Sequence, residues 1–358
     1  MNILFRVDAS KEIGTGHVVR CLTLADALTE KGVCSYFVCK NHEGNLIDFI
    51  RERGFKVYKI PVINYERSDL AHSHWLGSSI EEDSALTLKV IGDSNFDCCV
   101  VDHYAIDIRW EEKVSKKIRK LMVIDDLADR LHRCDILLDQ NYFGDSTFLR
   151  YDKLVDKNCR KYLGPQFAIL KKDFQVLSKD RNIRKQVNRI LLFFGGSDLT
   201  NQTKIALEAI CDIPFSFNVD VVLGTNYQWE ASLIEFTKKP FIRFHKNLPS
   251  LSELMARADL MIGAGGTTTW ERMSLGLPAI VVTTADNQKK INESLADKSL
   301  LIHLGDFERI TVNDYRNTLL KILNEKYELY LMSERLYNFN NSNGFESLVN
   351  EIIREEKF

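Results

Sequence analysis

Short apolar runs alternate along the chain with stretches whose apolar residues recur every three or four positions. Residues 3–7 form an apolar run of strand length, and Val18, Cys21, Leu22, Ala25 and Leu28 then follow at helical spacing. Strand-like runs recur at 33–39, 55–60, 97–101, 121–124 and 136–138, separated by helix-like segments at 46–53, 81–92 and 108–118. Residues 62–80 read as a long loop. The pattern lapses between Gly144 and Gln186, where charge clusters such as Lys171-Lys172-Asp173 stand. A second series then begins. Its strands are expected at 189–194, 217–223, 241–244, 260–263 and 279–282, and its helices at 200–211, 229–236, 251–256, 267–275 and 287–297, before a mostly helical tail.

Strands separated by helices predict parallel βαβ units. Two such series predict two Rossmann-like α/β domains facing a cleft at the C-terminal ends of their strands, where open parallel sheets bind ligands. A length of 358 residues agrees with two domains at about 150 residues each. The expected bounds are 1–165, a linker at 166–188, a second domain at 189–340, and a closing segment at 341–358. The helix of that segment, at 346–357, is expected to cross back onto the first domain.

Composition narrows the function classes. Apolar residues are 45% and charged residues 27%, an ordinary globular balance. A formal net charge of −2 shows no basic excess of the kind nucleic-acid binders carry. The start, Met1-Asn2-Ile3-Leu4-Phe5-Arg6-Val7-Asp8, reaches charge too soon for a signal peptide, and no run approaches the ~18 apolar residues of a spanning helix. A cytoplasmic protein without membrane or nucleic-acid partners is expected, with monomer as the default. The eight Cys include no C-x-x-C, so buried free thiols are expected rather than zinc or disulfides. No H-x-x-x-H or D-x-D motif calls for a metal, and no cofactor is expected.

Two glycine-bearing turns carry candidate chemistry. The first, Ile13-Gly14-Thr15-Gly16-His17, follows the first strand and opens the first helix. Gly14 and Gly16 let backbone approach a ligand closely. Val19 stands where a dinucleotide fingerprint needs its third glycine, which disfavours NAD. His17 stands at the helix start, and histidine is a residue type able to serve as a general base. A local hydrogen bond is an equally good account of it on position alone. Arg20 lies one turn on, beside it. Arg6 and Asp8 lie near the end of the first strand, and their plain reading is an ion pair, worth little if exposed.

The second turn, Gly263-Ala264-Gly265-Gly266-Thr267, again joins strand to helix. Its backbone N–H groups suit phosphate, with roughly 0.3–1 kcal/mol per charge from the helix dipole. No Gly-Lys-Ser/Thr follows, so it is not a P-loop. Glu271, one turn in, could accept both hydrogen bonds of a ribose diol, or simply favour the dipole. Gly195-Gly196-Ser197-Asp198 adds another polar turn, with Asp198 also readable as a helix cap. Two such turns in one domain suit a diphosphate.

Several segments together resemble a known family. They are Phe5-Arg6-Val7-Asp8-Ala9-Ser10 with the Gly14–His17 turn, Val101-Asp102-His103-Tyr104, Asp125-Asp126-Leu127-Ala128-Asp129-Arg130, Leu138-Asp139-Gln140-Asn141-Tyr142, Leu163 through Leu170, Phe194 through Asp198, Gly263 through Pro278, and Ala285-Asp286-Asn287-Gln288. In this order they resemble the UDP-sugar hydrolases of pseudaminic acid biosynthesis, which cleave UDP-2,4-diacetamido-2,4,6-trideoxy-β-L-altropyranose. The resemblance implies a GT-B-like fold. It implies that Gly195, Gly196 and Ser197 meet phosphate or ribose and that Gly265, Gly266 and Thr267 cradle the diphosphate. Glu271 would hold the ribose, and backbone near His245 the uracil. Asn287 and Gln288 would reach sugar or phosphate. On the sugar side it implies Arg6, Asp8, Gly14, Gly16, Arg20, Asp102, His103 and Tyr104, with Asp125, Asp126, Asn141 and Tyr142 beside them. His17 would activate a water that inverts the anomeric carbon while UDP departs. Asp8 or Asp102 would orient it, and the choice is open.

A hydrolase of a stereoisomeric UDP-diacetamido sugar, an inverting GT-B glycosyltransferase and a non-catalytic nucleotide-sugar sensor are the alternatives. His42, His72, His74, His132, His245 and His303 read as solvent-facing or locally bonded. His72, His74 and Trp75 read as a surface loop, with a lid over the sugar as the other reading.

Overall fold

Strand β1 (Asn2–Val7) is buried on both faces from Ile3 onward, which suits only the interior of a sheet covered by helices on either side. The computed structural model, which describes residues 1–63, 69–92, 95–339 and 343–354, places it there. The first sheet contains β1, β2 (Cys34–Lys40), β3 (Lys56–Ile60), β4 (Cys98–Asp102), β5 (Lys120–Ile124), β6 (Ile136–Asp139) and β7 (Arg160–Leu163). Their order is β3-β2-β1-β4-β5-β6-β7, all parallel. The second sheet contains β8 (Arg189–Phe193), β9 (Asn218–Leu223), β10 (Ile242–Lys246), β11 (Leu260–Ala264), β12 (Ala279–Thr283) and β13 (Ile302–Asp306). Its order is β10-β9-β8-β11-β12-β13, also parallel.

Both orders run outward from a centre in two directions, the doubly wound arrangement. The direction reverses between β1 and β4 in one sheet and between β8 and β11 in the other. At such a point neighbouring connections leave toward opposite faces and open a crevice beyond the strand ends. The sequence puts Gly14–His17 after β1 and His103–Tyr104 after β4. It puts Gly195–Asp198 after β8 and Gly265–Thr267 after β11.

The chain divides into two compact units. One holds residues up to 141, 145–169 and the C-terminal helix; the other holds 142–144 and 170 through the helix Lys326–Phe339. In the first core, Phe345, Leu348, Val349 and Ile352 of the helix Gly344–Ile353 join Val18, Cys21, Leu22 and Ala25 of the first helix, Gly16–Glu30. Of the segment expected at 346–357, residues 355–357 lie outside the described residues, as do 64–68 of the loop at 62–80. No helix among the described residues is long and apolar enough to cross a membrane.

Some local expectations change. Residues 229–236 form two 3-10 turns, Glu230–Leu233 and Phe236–Lys238, instead of a helix. Leu233 and Phe236 are buried there while Trp229 and Ile234 face solvent, so no continuous apolar stripe exists to pack a longer helix. Strands β7 and β13 escaped the pattern because they are the last strands of their sheets, with only Leu163 fully buried between them. Six of the eight free cysteines are buried, Cys34 is exposed and Cys211 is intermediate.

Candidate active site

The pairing of β1 with β4 sets Val7 opposite Asp102, which brings the start of the first helix beside the end of β4. His17 and Arg20 share a helix face and both reach Asp102. His17 Nδ1 lies 2.6 Å from Asp102 Oδ1. Arg20 forks onto the same carboxylate, with Nε 2.9 Å from Oδ2 and Nη2 2.7 Å from Oδ1. Burial alone would raise the pKa of Asp102, yet Arg20 and His17 hold it well below the usual carboxylate range. An ionised Asp102 keeps a proton on His17 Nδ1, so Nε2 carries the lone pair. The arrangement is an oriented imidazole able to accept a proton. Of the two carboxylates left open by sequence, Asp102 is the one that meets His17.

Asp126 ties Arg20 to Tyr104. Arg20 Nη1 is 3.4 Å from Asp126 Oδ2, and the Tyr104 hydroxyl donates to Asp126 Oδ1. Burial and then the Asp126 charge raise the Tyr104 pKa, so it stays a phenol and a donor. His72 and Trp75 do not form a detached surface loop. Their rings pack against Tyr104 at 5.4 and 5.6 Å.

Arg6 and Asp8 do form the expected ion pair, and both are fully buried, so the discount for an exposed pair does not apply. Arg6 Nη1 is 2.8 Å from Asp8 Oδ1. Its Nε and Nη2 donate to Asp83 at 3.0 and 2.6 Å. Trp110 Nε1 donates to Asp83 at 2.9 Å, and Lys40 Nζ lies 3.3 Å away. Asp8 Oδ1 accepts Lys40 N at 2.7 Å, while Oδ2 lies 3.3 Å from His103 Nε2. Burial would raise Asp8, but Arg6, His103 and His42 hold it low. Burial lowers both Lys40 and His103. Asp83 and Trp110 were not candidates by sequence. Lys40 carried a signal, a charge closing a buried apolar strand.

Asp125 is likewise turned inward. It lies 2.8 Å from Arg130 Nη1, accepts the Tyr151 hydroxyl at 2.8 Å and accepts Ala128 N at 3.0 Å. His132, read as a surface or local residue, is buried between Glu111 at 2.7 Å and Asp125 at 3.7 Å. Burial would lower its pKa, but the two carboxylates push it up to about 9. The imidazolium therefore contributes stability fully below about pH 6.5, its unfolded value, and loses it as pH rises through about 9. The contribution is on the order of 3 kcal/mol. Urea midpoints of wild type should fall between pH 7 and 9.5 more steeply than those of His132→Gln. Parallel curves would remove His132 as the cause.

The other first-turn residues have plain structural places. Gly14 adopts φ +76° in a turn closed by Gly14 N donating to Ser10 O at 2.9 Å, and Gly16 starts the helix. Asn141 N donates to Asp139 Oδ1 at 2.9 Å. Tyr142 belongs to the second unit, where its ring stands edge-on to Phe339 at 5.3 Å. It was expected on the sugar side with Asn141.

In the second unit, Asp198 caps the helix Gln202–Cys211, accepting Gln202 N and Thr203 N at 2.9 Å each. Gly196 O accepts Asn226 N at 3.0 Å, and Gly224 permits that approach, since a Cβ there would sit 2.2 Å from Gly196 O. Gly265 is similarly enforced, because a Cβ would lie 2.7 Å from Asn292 Oδ1. Asn292 Nδ2 donates to Thr283 Oγ1 at 3.0 Å, a neighbour of the glycine turn that no motif marks. Gln288, in the helix Asp286–Asp297 that also carries Asn287, turns Oε1 back to Thr284 N at 3.1 Å. Thr267 stands directly before the helix Thr268–Ser274, which carries Glu271, without a side-chain capping bond. Burial pushes the Glu271 carboxyl up to about 7, with Lys171 opposing and Asp173 adding. The His245 side chain is held by Asp220, Nε2 to Oδ1 at 2.6 Å.

Residues 190–352 match the glycosyltransferase family 28 C-terminal domain. An uncharacterized protein of Methanocaldococcus jannaschii is 28% identical, over 94% of this chain and 67% of its own length. The spore coat polysaccharide biosynthesis protein SpsG of Bacillus subtilis is 23% identical over 85% of this chain and 84% of its own. The UDP-2,4-diacetamido-2,4,6-trideoxy-β-L-altropyranose hydrolase of Campylobacter jejuni is 25% identical over 83% of this chain and 97% of its own. Among solved structures, Acinetobacter baumannii MurG superposes with TM-score 0.69 at 14% identity, covering 98% of this chain and 99% of that one. Arabidopsis thaliana UGT89C1 complexed with UDP gives TM-score 0.65 at 12% identity, covering 99% and 100%. The chain has the GT-B glycosyltransferase-like fold of two parallel-sheet α/β domains.

Proposed function

We propose that this chain hydrolyses UDP-2,4-diacetamido-2,4,6-trideoxy-β-L-altropyranose to UDP and the free sugar, with inversion at the anomeric carbon, in pseudaminic acid biosynthesis in the cytoplasm. The observation that carries the reading is His17 held by an ionised Asp102, with Arg20 on the same carboxylate. The Campylobacter jejuni relative, matched over 97% of its length, supports the choice of substrate.

In this reading His17 Nε2 takes a proton from water while the water oxygen attacks the anomeric carbon opposite UDP. The bond from that carbon to the diphosphate oxygen breaks, and its electron pair leaves on UDP. Backbone N–H groups of Gly265, Gly266 and Thr267 meet the growing phosphate charge. Gly195, Gly196 and Ser197 serve phosphate or ribose, Glu271 the ribose diol, and backbone near His245 the uracil. Asn287 and Gln288 serve sugar or phosphate. Arg20, Tyr104 and Asp126 line the sugar side. Arg6, Asp8, His103 and Asp125 hold the ends of the strands that present it, and Gly14, Gly16 and Asn141 complete the set.

Glu271 gives the nucleotide assignment its own test. A carboxylate accepts both ribose hydrogen bonds and a carboxylic acid does not. With the free group near 7, UDP affinity should rise by about tenfold from pH 6 to pH 8. Calorimetry on Glu271→Gln should show weaker binding and a flat profile; an unchanged slope would remove Glu271 from the ribose.

The match to a glycosyltransferase domain favours one second reading, an inverting transferase that uses an acceptor in place of water. Incubation with the UDP-sugar and EDTA, followed by NMR, separates the two. Stoichiometric UDP and free sugar, appearing first as the inverted anomer, is the expected result. Binding of UDP without release from the UDP-sugar would end the hydrolase reading.

A further inference from the structure

Three rings gather beside the His17 base, and the hydrolytic scheme uses only one of them, Tyr104. The His17 ring stands edge-on to Tyr104, with centroids 4.7 Å apart and planes at 86°. The Trp75 indole lies nearly parallel to Tyr104 at 5.6 Å and 23°, and 6.3 Å from His17. His72 packs against Trp75 at 4.5 Å and Tyr104 at 5.4 Å.

Trp75 and His72 come from a separate connection, the 3-10 turn Ser73–Leu76 and the residue before it. That turn is anchored from below. Ser73 and Leu76 are buried at 3% and 1% exposure, and Trp75 N donates to His72 O at 2.9 Å. Trp75, His72 and Tyr104 are each only partly covered, so the indole, whose ring centroid lies 6.3 Å from that of His17, keeps some accessible surface. Burial lowers the His72 pKa and keeps that ring neutral, a plate rather than a charge. Large rigid rings are efficient apolar contact surfaces, and Trp75 packs on Tyr104 and His72 while staying partly exposed.

We propose that Trp75, backed by His72, is the sugar-discriminating wall of the site, packing on the methyl groups of a deoxy, acetamido-bearing sugar in preference to a hydroxylated one. The proposal rests on the UDP-sugar reading above. One apolar group more or less in such a contact changes discrimination by about 10–200-fold.

The test compares UDP-2,4-diacetamido-2,4,6-trideoxy-β-L-altropyranose with UDP-N-acetylglucosamine in wild type, Trp75→Ala and Trp75→Phe. Trp75→Ala should lower the ratio of kcat/KM for the first substrate over the second by about tenfold or more, chiefly through KM. Trp75→Phe should keep most of the ratio, and inhibition by UDP should not change in either variant. A ratio within twofold of wild type in Trp75→Ala overturns the proposal. So does a fall in kcat with a displaced pH profile at an unchanged ratio, which would make Trp75 a support for His17. If wild type releases UDP from neither substrate, the hydrolase reading fails on its own. The same ratio is then taken from calorimetric affinities for the two UDP-sugars, with the same expected and overturning results. Binding of neither overturns both.

Discussion

His17→Ala is expected to lower the rate of UDP release by about 10²–10⁴-fold, the usual worth of a positioned general base, with substrate affinity little changed. Asp102 sets the state of that base. Its ionised carboxylate holds the proton on Nδ1 and points Nε2 outward. Asp102→Asn should therefore cost a comparable factor, because an amide no longer demands the N–H tautomer and leaves Arg20 without its fork. The two residues act as one device, so the double variant should be hardly worse than His17→Ala. Single-turnover UDP release across pH 5–9 measures all three. Full activity in His17→Ala would sink the mechanism even with the substrate right, and additive losses would separate Asp102 from the base.

Asp83→Ala is expected to have the largest effect on stability, about 3–5 kcal/mol. Asp83 receives two bonds from Arg6 and one from Trp110, with the Lys40 ammonium 3.3 Å away, all of it inside the protein. Removing it leaves two buried cations facing the single carboxylate of Asp8. A buried charge that loses its partner cannot regain water, and the loss exceeds the value of the pair itself. Replacing both partners, Arg6→Met with Asp83→Leu, should recover part of it, since apolar groups of similar volume need no partner. Denaturant unfolding of the first unit's transition decides this; a change below about 1 kcal/mol for Asp83→Ala would show water reaching the cluster.

The two sheets and the turns at their reversal points were legible because they rest on local chemistry. Apolar runs alternating with helical periodicity require a covered parallel sheet, and glycines directly after strands mark where backbone must bend sharply or approach closely. The GT-B-like architecture was implied by the family resemblance of the motifs and is the fold of the solved structures this chain superposes on. Residues in short, half-exposed edge strands such as 160–163 and 302–306 gave no such signal, because an edge needs less apolar surface.

The partners inside the candidate site were a different matter. His17 and Asp102 lie 85 positions apart, and they meet because β4 returns to the far side of β1 after the β2–β3 excursion. Asp8 sits nearer in sequence to His17, yet its side chain points to Arg6, Lys40 and His103 instead. Trp75 and His132 looked like loop residues because nothing local distinguishes a ring in contact with Tyr104, or an imidazole between two carboxylates, from one in solvent. Periodicity and glycine placement, both short-range, thus determined by themselves the fold class and the strand ends where chemistry would gather. Charge pairing and ring stacking depend on strand order and on burial, and only the tertiary structure decided which carboxylate orients the base and which rings stand beside it.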